Sequence, residues 1–409
     1  MGGKRRRGEA GITKRPMSPE GAASLEGLEL VRVCLPLRER WSSGAGSFSQ
    51  RDSLLVRAVL RAPAGEVEGW GECPALPEPT YNGEYTAEAV EVSERFLVPA
   101  LLRARPATAG EVGRALAGVK GHEMAKTAFE AAIADAQLRS EGVSMAEYFA
   151  GASELGLRRA AAVPAGVSVG LAPSTGALVE EVGRYVSEGY RSVKLKISPT
   201  SGPSPAASVG AVRERWPELV LAADANGAYG GLTTDEAAAL LLPLEDFDLA
   251  FVEQPLGEDD LAGHARLAHL LRTPVCLDEA LGSYGIVAAA LEIGACSVVN
   301  VKAGRLGGYL EAVRAHDLCA RSNVALRCGG MVETGIARAA NVALASLGGF
   351  NVPGDVSAAG RFFEQDIAGP LPLLPEGTIA VPDGPGTGVE VDRAVVARCA
   401  SWRRWWPAS

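Results

Sequence analysis

Six charged side chains close or follow short apolar runs. Lys194 and Lys196 stand two apart in VKLKI, Asp224 falls in LAADANG, Glu253 in LAFVEQP, Asp278 in PVCLDEA and Lys302 in SVVNVKAG. From Lys196 onward the steps are 28, 29, 25 and 24 residues, the length of one strand and one helix. Three carboxylates gathered at one place repel one another unless a cation joins them, and an all-oxygen donor set selects Mg2+ or Mn2+ over zinc. Lysines on either side of such an ion could act on two faces of one bound substrate. A crowded, cationic, partly dry site lowers a lysine from about 10.4 toward roughly 7–8, where it becomes a usable base. Lys194 shares a strand face with Lys196 and adds to the positive charge there.

Such chemistry needs strands that end side by side. After Gly166, β-branched runs (VSVG, SVKLKI, LVLAADANG, LAFVEQP, PVCLDEA, SVVNVKAG, VALRCGG) alternate with amphipathic Ala/Leu segments. Strands separated by helices of this length imply parallel βαβ units. Seven or eight in a row close into an α/β barrel of the TIM type, whose active sites lie at the C-terminal strand ends. An open doubly wound sheet is the competing architecture. No G-x-G-x-x-G opens a helix after a strand and no G-x-x-x-x-G-K-[ST] occurs, so nucleotide cradling has no support. Upstream, Leu28–Leu37, Ser53–Leu60 and Val67–Cys73 read as strands, and Glu84–Ala104 and Lys120–Glu141 as helices. They describe a small α+β domain over 27–155, ahead of a barrel over 160–370.

The 409 residues carry 40 Lys+Arg against 49 Asp+Glu, a net charge of −9. Residues 1–22 hold six basic and two acidic side chains, which leaves the remainder at −13. Residues 1–24 read as a disordered basic tail. An acidic body argues against nucleic-acid binding. The longest uncharged stretch, Ala160 to Val179, is broken by Pro164 and Pro173 and cannot serve as a membrane span. Seven scattered cysteines without a C-x-x-C pair suit reduced thiols and a cytoplasmic location. His122, His264, His269 and His316 all fall in expected helices, with His264 and His269 on helix surfaces, so a zinc hydrolase on the same barrel is disfavoured. Trp402, Trp405 and Trp406 interleave with Arg403 and Arg404, a pattern expected to pack on the first domain or on another copy.

The chain resembles the enolase superfamily, and within its muconate-lactonising subgroup the o-succinylbenzoate synthases and N-succinylamino acid racemases. VKLKI, DANGAY, VEQP, PVCLDEA and VVNVKAGRLGG carry the match, narrowed by CGGMVETGIARAANVALASL and VPGDVSA; EGWGECPALPEPTY and KGHEMAKTAFEAAIADAQLR resemble that family's capping domain. The resemblance covers roughly residues 27 to 390. It implies a (β/α)7β barrel with an N-terminal α+β capping domain, to which residues 371–409 return. It implies Mg2+ on Asp224, Glu253 and Asp278, with Lys196 and Lys302 as the acid/base pair. The expected partner is a small carboxylate substrate, with no nucleic acid and no membrane, in a homo-oligomer. Lys194 and Asn226 are candidate substrate contacts, though Asn226 could equally be a turn residue before Gly227. Gly329 and Gly330 allow close backbone approach to a succinyl arm. Met331 is either an adaptable wall or core packing. Glu279 is expected to support its neighbours from the opposite strand face. Ser42–Phe48 and Pro77–Tyr85 align with the family's specificity loops, with Phe48 and Tyr81 as apolar contacts. Arg327 departs from the pattern, which has an aromatic or apolar residue there, and Ala340 stands where a histidine is frequent. The first expected activity is o-succinylbenzoate synthesis serving menaquinone production. N-succinylamino acid racemisation shares every acid/base and metal residue, and dipeptide epimerisation or muconate cycloisomerisation comes third. A catalytically silent barrel would show broken ligands, and none of the five is substituted.

Overall fold

The computed structural model describes residues 23–43 and 46–408. The expected basic tail lies outside the described residues as far as residue 22, and Ser24 already opens the first strand. β1 (Ser24–Ser43), β2 (Gly46–Ala62) and β3 (Gly65–Cys73) form an antiparallel sheet. Alternation gives it two apolar faces. Leu28, Leu30, Leu54 and Val56 pack with Phe129 and Ile133 of the helix Glu123–Glu141, while Val31, Val33 and Leu55 join the larger core of the second domain. Gly69 and Gly71 are required by that helix: a Cβ on either would run into its backbone at Ala128, Ala132 or Ala136.

β4 (Ala162–Pro164) leads into the barrel. There β5 (Gly166–Val169), β6 (Ser192–Lys196), β7 (Val220–Asp224), β8 (Val252–Glu253), β9 (Val275–Leu277), β10 (Val298–Val301) and β11 (Ala325–Cys328) run parallel in sequence order. Their continuous Val/Leu/Ala character fits strands buried on both faces. Residues 350–356 supply the eighth stave. Val352 N–H donates to the Leu326 carbonyl (3.0 Å), Asp355 N–H to that of Cys328 (3.2 Å), and Gly166 N–H closes the ring on the Val356 carbonyl (3.3 Å). This closure excludes the open sheet. Most connecting helices start on a side-chain cap: Ser174, Ser204, Thr233, Asp260, Ser283 and Thr334 each accept a backbone N–H of the first turn. β12 (Thr378–Ala380) pairs with β4, and β13 (Ala400–Pro407) returns to β1, with Leu28 opposite Trp406 and Leu30 opposite Arg404. Trp402 and Trp406 pack against the first domain's core. Among the described residues no helix is long and apolar enough to cross a membrane. His264 is fully buried rather than on a helix surface, and its Nε2 accepts the Leu256 N–H at 3.2 Å.

Buried carboxylates dock the first domain on the second. Glu72 of β3 accepts the N–H (3.0 Å) and hydroxyl (2.7 Å) of Thr334, and Glu130 accepts the Leu310 N–H (3.0 Å) at the start of the helix Tyr309–Arg321. Burial pushes the Glu130 carboxyl from its ordinary 4.5 up to about 7. An acid that holds its proton more tightly when folded contributes stability that is lost as pH rises, here between about 4.5 and 7. On going from about pH 5 to about pH 7.5, the wild type should therefore lose up to about 3 kcal/mol more than Glu130→Gln. Denaturant unfolding of both proteins checks this, and equal pH slopes would contradict it.

Candidate active site

Register brings the charged residues together. Lys196 is paired with Asp224 across β6 and β7, and Asp224 with Glu253 across β7 and β8. Glu253 is paired with Cys276, so Asp278, two residues further on, shares that face. Lys302 follows β10 directly, two residues past inward-facing Asn300. Lys196 leaves the second stave and Lys302 follows the sixth, so in a ring of eight they face each other across the rim.

The contacts are short and largely buried. Lys196 Nζ donates to Asp224 Oδ2 (2.7 Å) and Asn226 Oδ1 (2.6 Å), and Asn226 Nδ2 donates in turn to Glu279 Oε1 (2.8 Å). Asn226 thus orients the first lysine, with φ +43 in the left-handed region that Asn tolerates. Lys302 Nζ contacts Asp278 Oδ2 (2.8 Å), the Tyr81 hydroxyl (3.2 Å) and Met331 Sδ (3.4 Å). Lys194 Nζ lies 2.7 Å from Asp224 Oδ2, 2.7 Å from Glu253 Oε1 and 2.8 Å from Asp355 Oδ2. Gly329 leaves room for Lys302 and Asn300, which a Cβ there would strike, and Gly330 lines the cavity instead. Met331 serves as wall and as packing, 7% exposed beside the Lys302 amine. The cavity has a volume of about 70 Å³, and Trp41, Leu76 and Tyr81 of the first domain line it together with Lys194, Lys196 and Lys302.

Burial alone would push Asp278 up, but Lys302 and Arg305 beside it hold it well below the carboxylate range. Asp355 is lowered in the same way by Arg327 and Lys194 against the effect of burial. Glu253 is raised by burial, and the charges of Asp224 and Asp278 add to the rise. Glu279 is pushed up to about 8 by burial and by Asp278. The expected depression of the lysines fails at Lys302: burial pulls it down, yet Asp278, Tyr81 and Glu279 together more than offset this and leave it raised. Lys194 is also raised, by Asp224, Asp355 and Glu253. The reason is local pairing, since each of these ammonium groups meets a carboxylate before it meets another cation.

Among the described residues, no three His, Cys, Asp or Glu side chains are arranged, as they stand, to hold one metal ion. Lys194 bridges Asp224 and Glu253, and Lys302 and Arg305 engage Asp278. The donors nevertheless fit a hard divalent cation. They are all oxygens, Asp224 and Glu253 already share one cationic partner, and Glu253 feels the charges of both other acids.

Several residues of the site were not assigned from sequence, Arg305, Asp355 and Trp41 among them. Arg305, in VVNVKAGRLGG, bonds Asp278 and the Tyr81 hydroxyl (2.8 Å). Asp355, in VPGDVSA, accepts from Arg327 (2.7 Å) and Ser168 (3.2 Å). Trp41 lies one residue before the loop expected to contact substrate. Arg327 points into the barrel, 1% exposed, joined to Glu253 and Asp355, with its guanidinium 4.8 Å from the Phe251 ring. Tyr81 presents its hydroxyl as well as its ring, correcting the expectation of a purely apolar contact. Glu279 reaches Asn226 although it was expected on the opposite face. Phe48 packs against the first domain's core and is absent from the residues lining this cavity.

A family model described as enolase C-terminal domain-like matches residues 177–395. The chain is 48% identical over 366 residues to an N-succinylamino acid racemase of an Amycolatopsis species, covering 89% of this chain and 94% of that protein. It is 36% identical over 374 residues to the o-succinylbenzoate synthase of Bacillus subtilis, covering 91% and 96%. The crystal structure of an enolase superfamily member from Listeria innocua superimposes with a TM-score of 0.86 at 34% identity, covering 95% of this chain and 100% of that one.

Proposed function

This chain belongs to the enolase superfamily, among its o-succinylbenzoate synthases and N-succinylamino acid racemases, and from that premise we propose that it is an o-succinylbenzoate synthase of menaquinone biosynthesis. The observation that carries the chemistry is the pair of lysines facing each other across the rim, each bonded to an inward carboxylate. A proton next to a carboxylate is far less acidic than a lysine ammonium, so its removal requires that the enediolate be stabilised as it forms. Asp224, Glu253 and Asp278 would hold a divalent cation, Mg2+ by the chemistry of their oxygens. That ion supplies positive charge beside the substrate carboxylate as negative charge grows on it.

Lys196, held by Asn226, takes the α-proton of the cyclohexadiene carboxylate. The same amine then returns a proton to the departing hydroxyl, so that water leaves and the ring becomes aromatic. Lys302, held by Asp278 and Tyr81, keeps a positive charge on the far face. A second reading is favoured by the opposed lysines themselves and by the 48% identity to a named racemase. Here one lysine takes the α-proton of an N-succinyl amino acid and the other delivers a proton to the opposite face.

Steady-state assays with the synthase substrate and with N-succinyl amino acids, in Mg2+ and after EDTA, test both readings. The proposal expects the larger kcat/KM on the synthase substrate and loss of activity in EDTA. A larger value on N-succinyl amino acids would put the second reading first, and turnover of neither would contradict both.

A further inference from the structure

Arg361 lies outside the cavity yet touches two residues that line it, Trp41 and Ser168. Its guanidinium sits 5.3 Å from the Trp41 ring, 4.9 Å from Tyr185 and 4.9 Å from Phe362. It also donates to the carbonyl of Ser168, a cavity residue on the first stave whose hydroxyl bonds Asp355. Trp41 itself meets Phe362 edge to face at 5.8 Å. The same arm of β1 is fastened twice more, by Arg38 N–H to the Phe362 carbonyl (2.9 Å) and by Arg38 Nη1 to that of Gly360 (2.8 Å). A half-buried tryptophan with no such clamp would be free to swing off the cavity. A planar guanidinium among three aromatic rings holds it through cation–π contact and stacking, which an ammonium would not reproduce.

We infer that Arg361 is a positioning residue for substrate binding: it seats Trp41 as the cavity wall that grips the apolar part of the bound carboxylate. This rests on reading the cavity as the active site. Because Arg361 reaches no reacting group, its effect should appear in KM and pass through Trp41.

Arg361→Ala is expected to raise KM about tenfold or more, within the range of a lost apolar pocket contact, with kcat changed by less than about threefold. Trp41→Ala should do the same, and the double variant should be no worse than Trp41→Ala alone. Arg361→Lys, which keeps the charge without the planar stack, should fall between wild type and Arg361→Ala and serves if the alanine variant does not fold. Independently of any activity, acrylamide quenching of Trp41 is read as the difference between proteins with and without Trp41→Phe, and it should increase when Arg361 is replaced. Multiplying effects in the double variant, a fall in kcat at constant KM, or unchanged Trp41 quenching would each overturn the inference. If neither substrate turns over, the function proposed above fails, and the quenching result alone decides the role of Arg361.

Discussion

Lys196→Ala is expected to lower kcat by about 10²–10⁴-fold on whichever carboxylate substrate turns over, the usual worth of a positioned general base. The loss should be chemical rather than structural. Asp224 keeps its 2.7 Å contact with Lys194 when Lys196 is removed, and Asn226 keeps Glu279. Thermal melts of the variant should therefore match those of the wild type. Lys302→Ala separates the two readings. A synthase needs Lys302 only for its charge and should lose less than in Lys196→Ala. A two-base racemase needs it for delivery of the proton and should lose as much.

Glu253→Gln should have the second-largest effect, because Glu253 ties two functions together. Its Oε1 meets Lys194 and Asn300, and its Oε2 meets Arg327. Neutralising it should weaken Mg2+ binding, read by calorimetry, by at least about tenfold to a hundredfold, and should cut turnover by about 10²–10³-fold in both reactions. It also leaves Lys194 and Arg327 short of a buried counter-charge, a loss that typically costs about 3–5 kcal/mol when one partner of a buried pair is removed. Melts in EDTA measure that structural cost without the ion, so the two contributions can be told apart. Mg2+ affinity equal to wild type would remove Glu253 from the proposed ligand set.

The barrel and its charged rim were legible because both are local patterns. Each strand–helix unit announces itself by composition, and the charged residue at its end repeats with the unit, so register alone sets Lys196 beside Asp224 and Asp224 beside Glu253. What sequence could not supply depends on approach between distant segments. Arg327 looked out of place because its partner Asp355 lies on the irregular eighth stave, which carries no strand pattern. Tyr81 and Trp41 matter only because the first domain lies over the rim. The lysine pKa expectation erred for the same reason. At Lys302 the acid that matters, Asp278, comes from the adjacent strand and reaches the ammonium first.

The central claim is that Lys196, with Lys302 opposite it and a divalent ion's help, removes the proton at the α-carbon of a carboxylate. Proton NMR in D2O, following the α-proton signal of whichever of the synthase substrate and an N-succinyl amino acid turns over, tests it most directly. The wild type with Mg2+ should wash the α-proton signal out, EDTA should stop the loss, and the variant carrying both Lys196→Ala and Lys302→Ala should leave the signal intact. Washout by that variant at the wild-type rate, or washout unaffected by EDTA, would contradict the account.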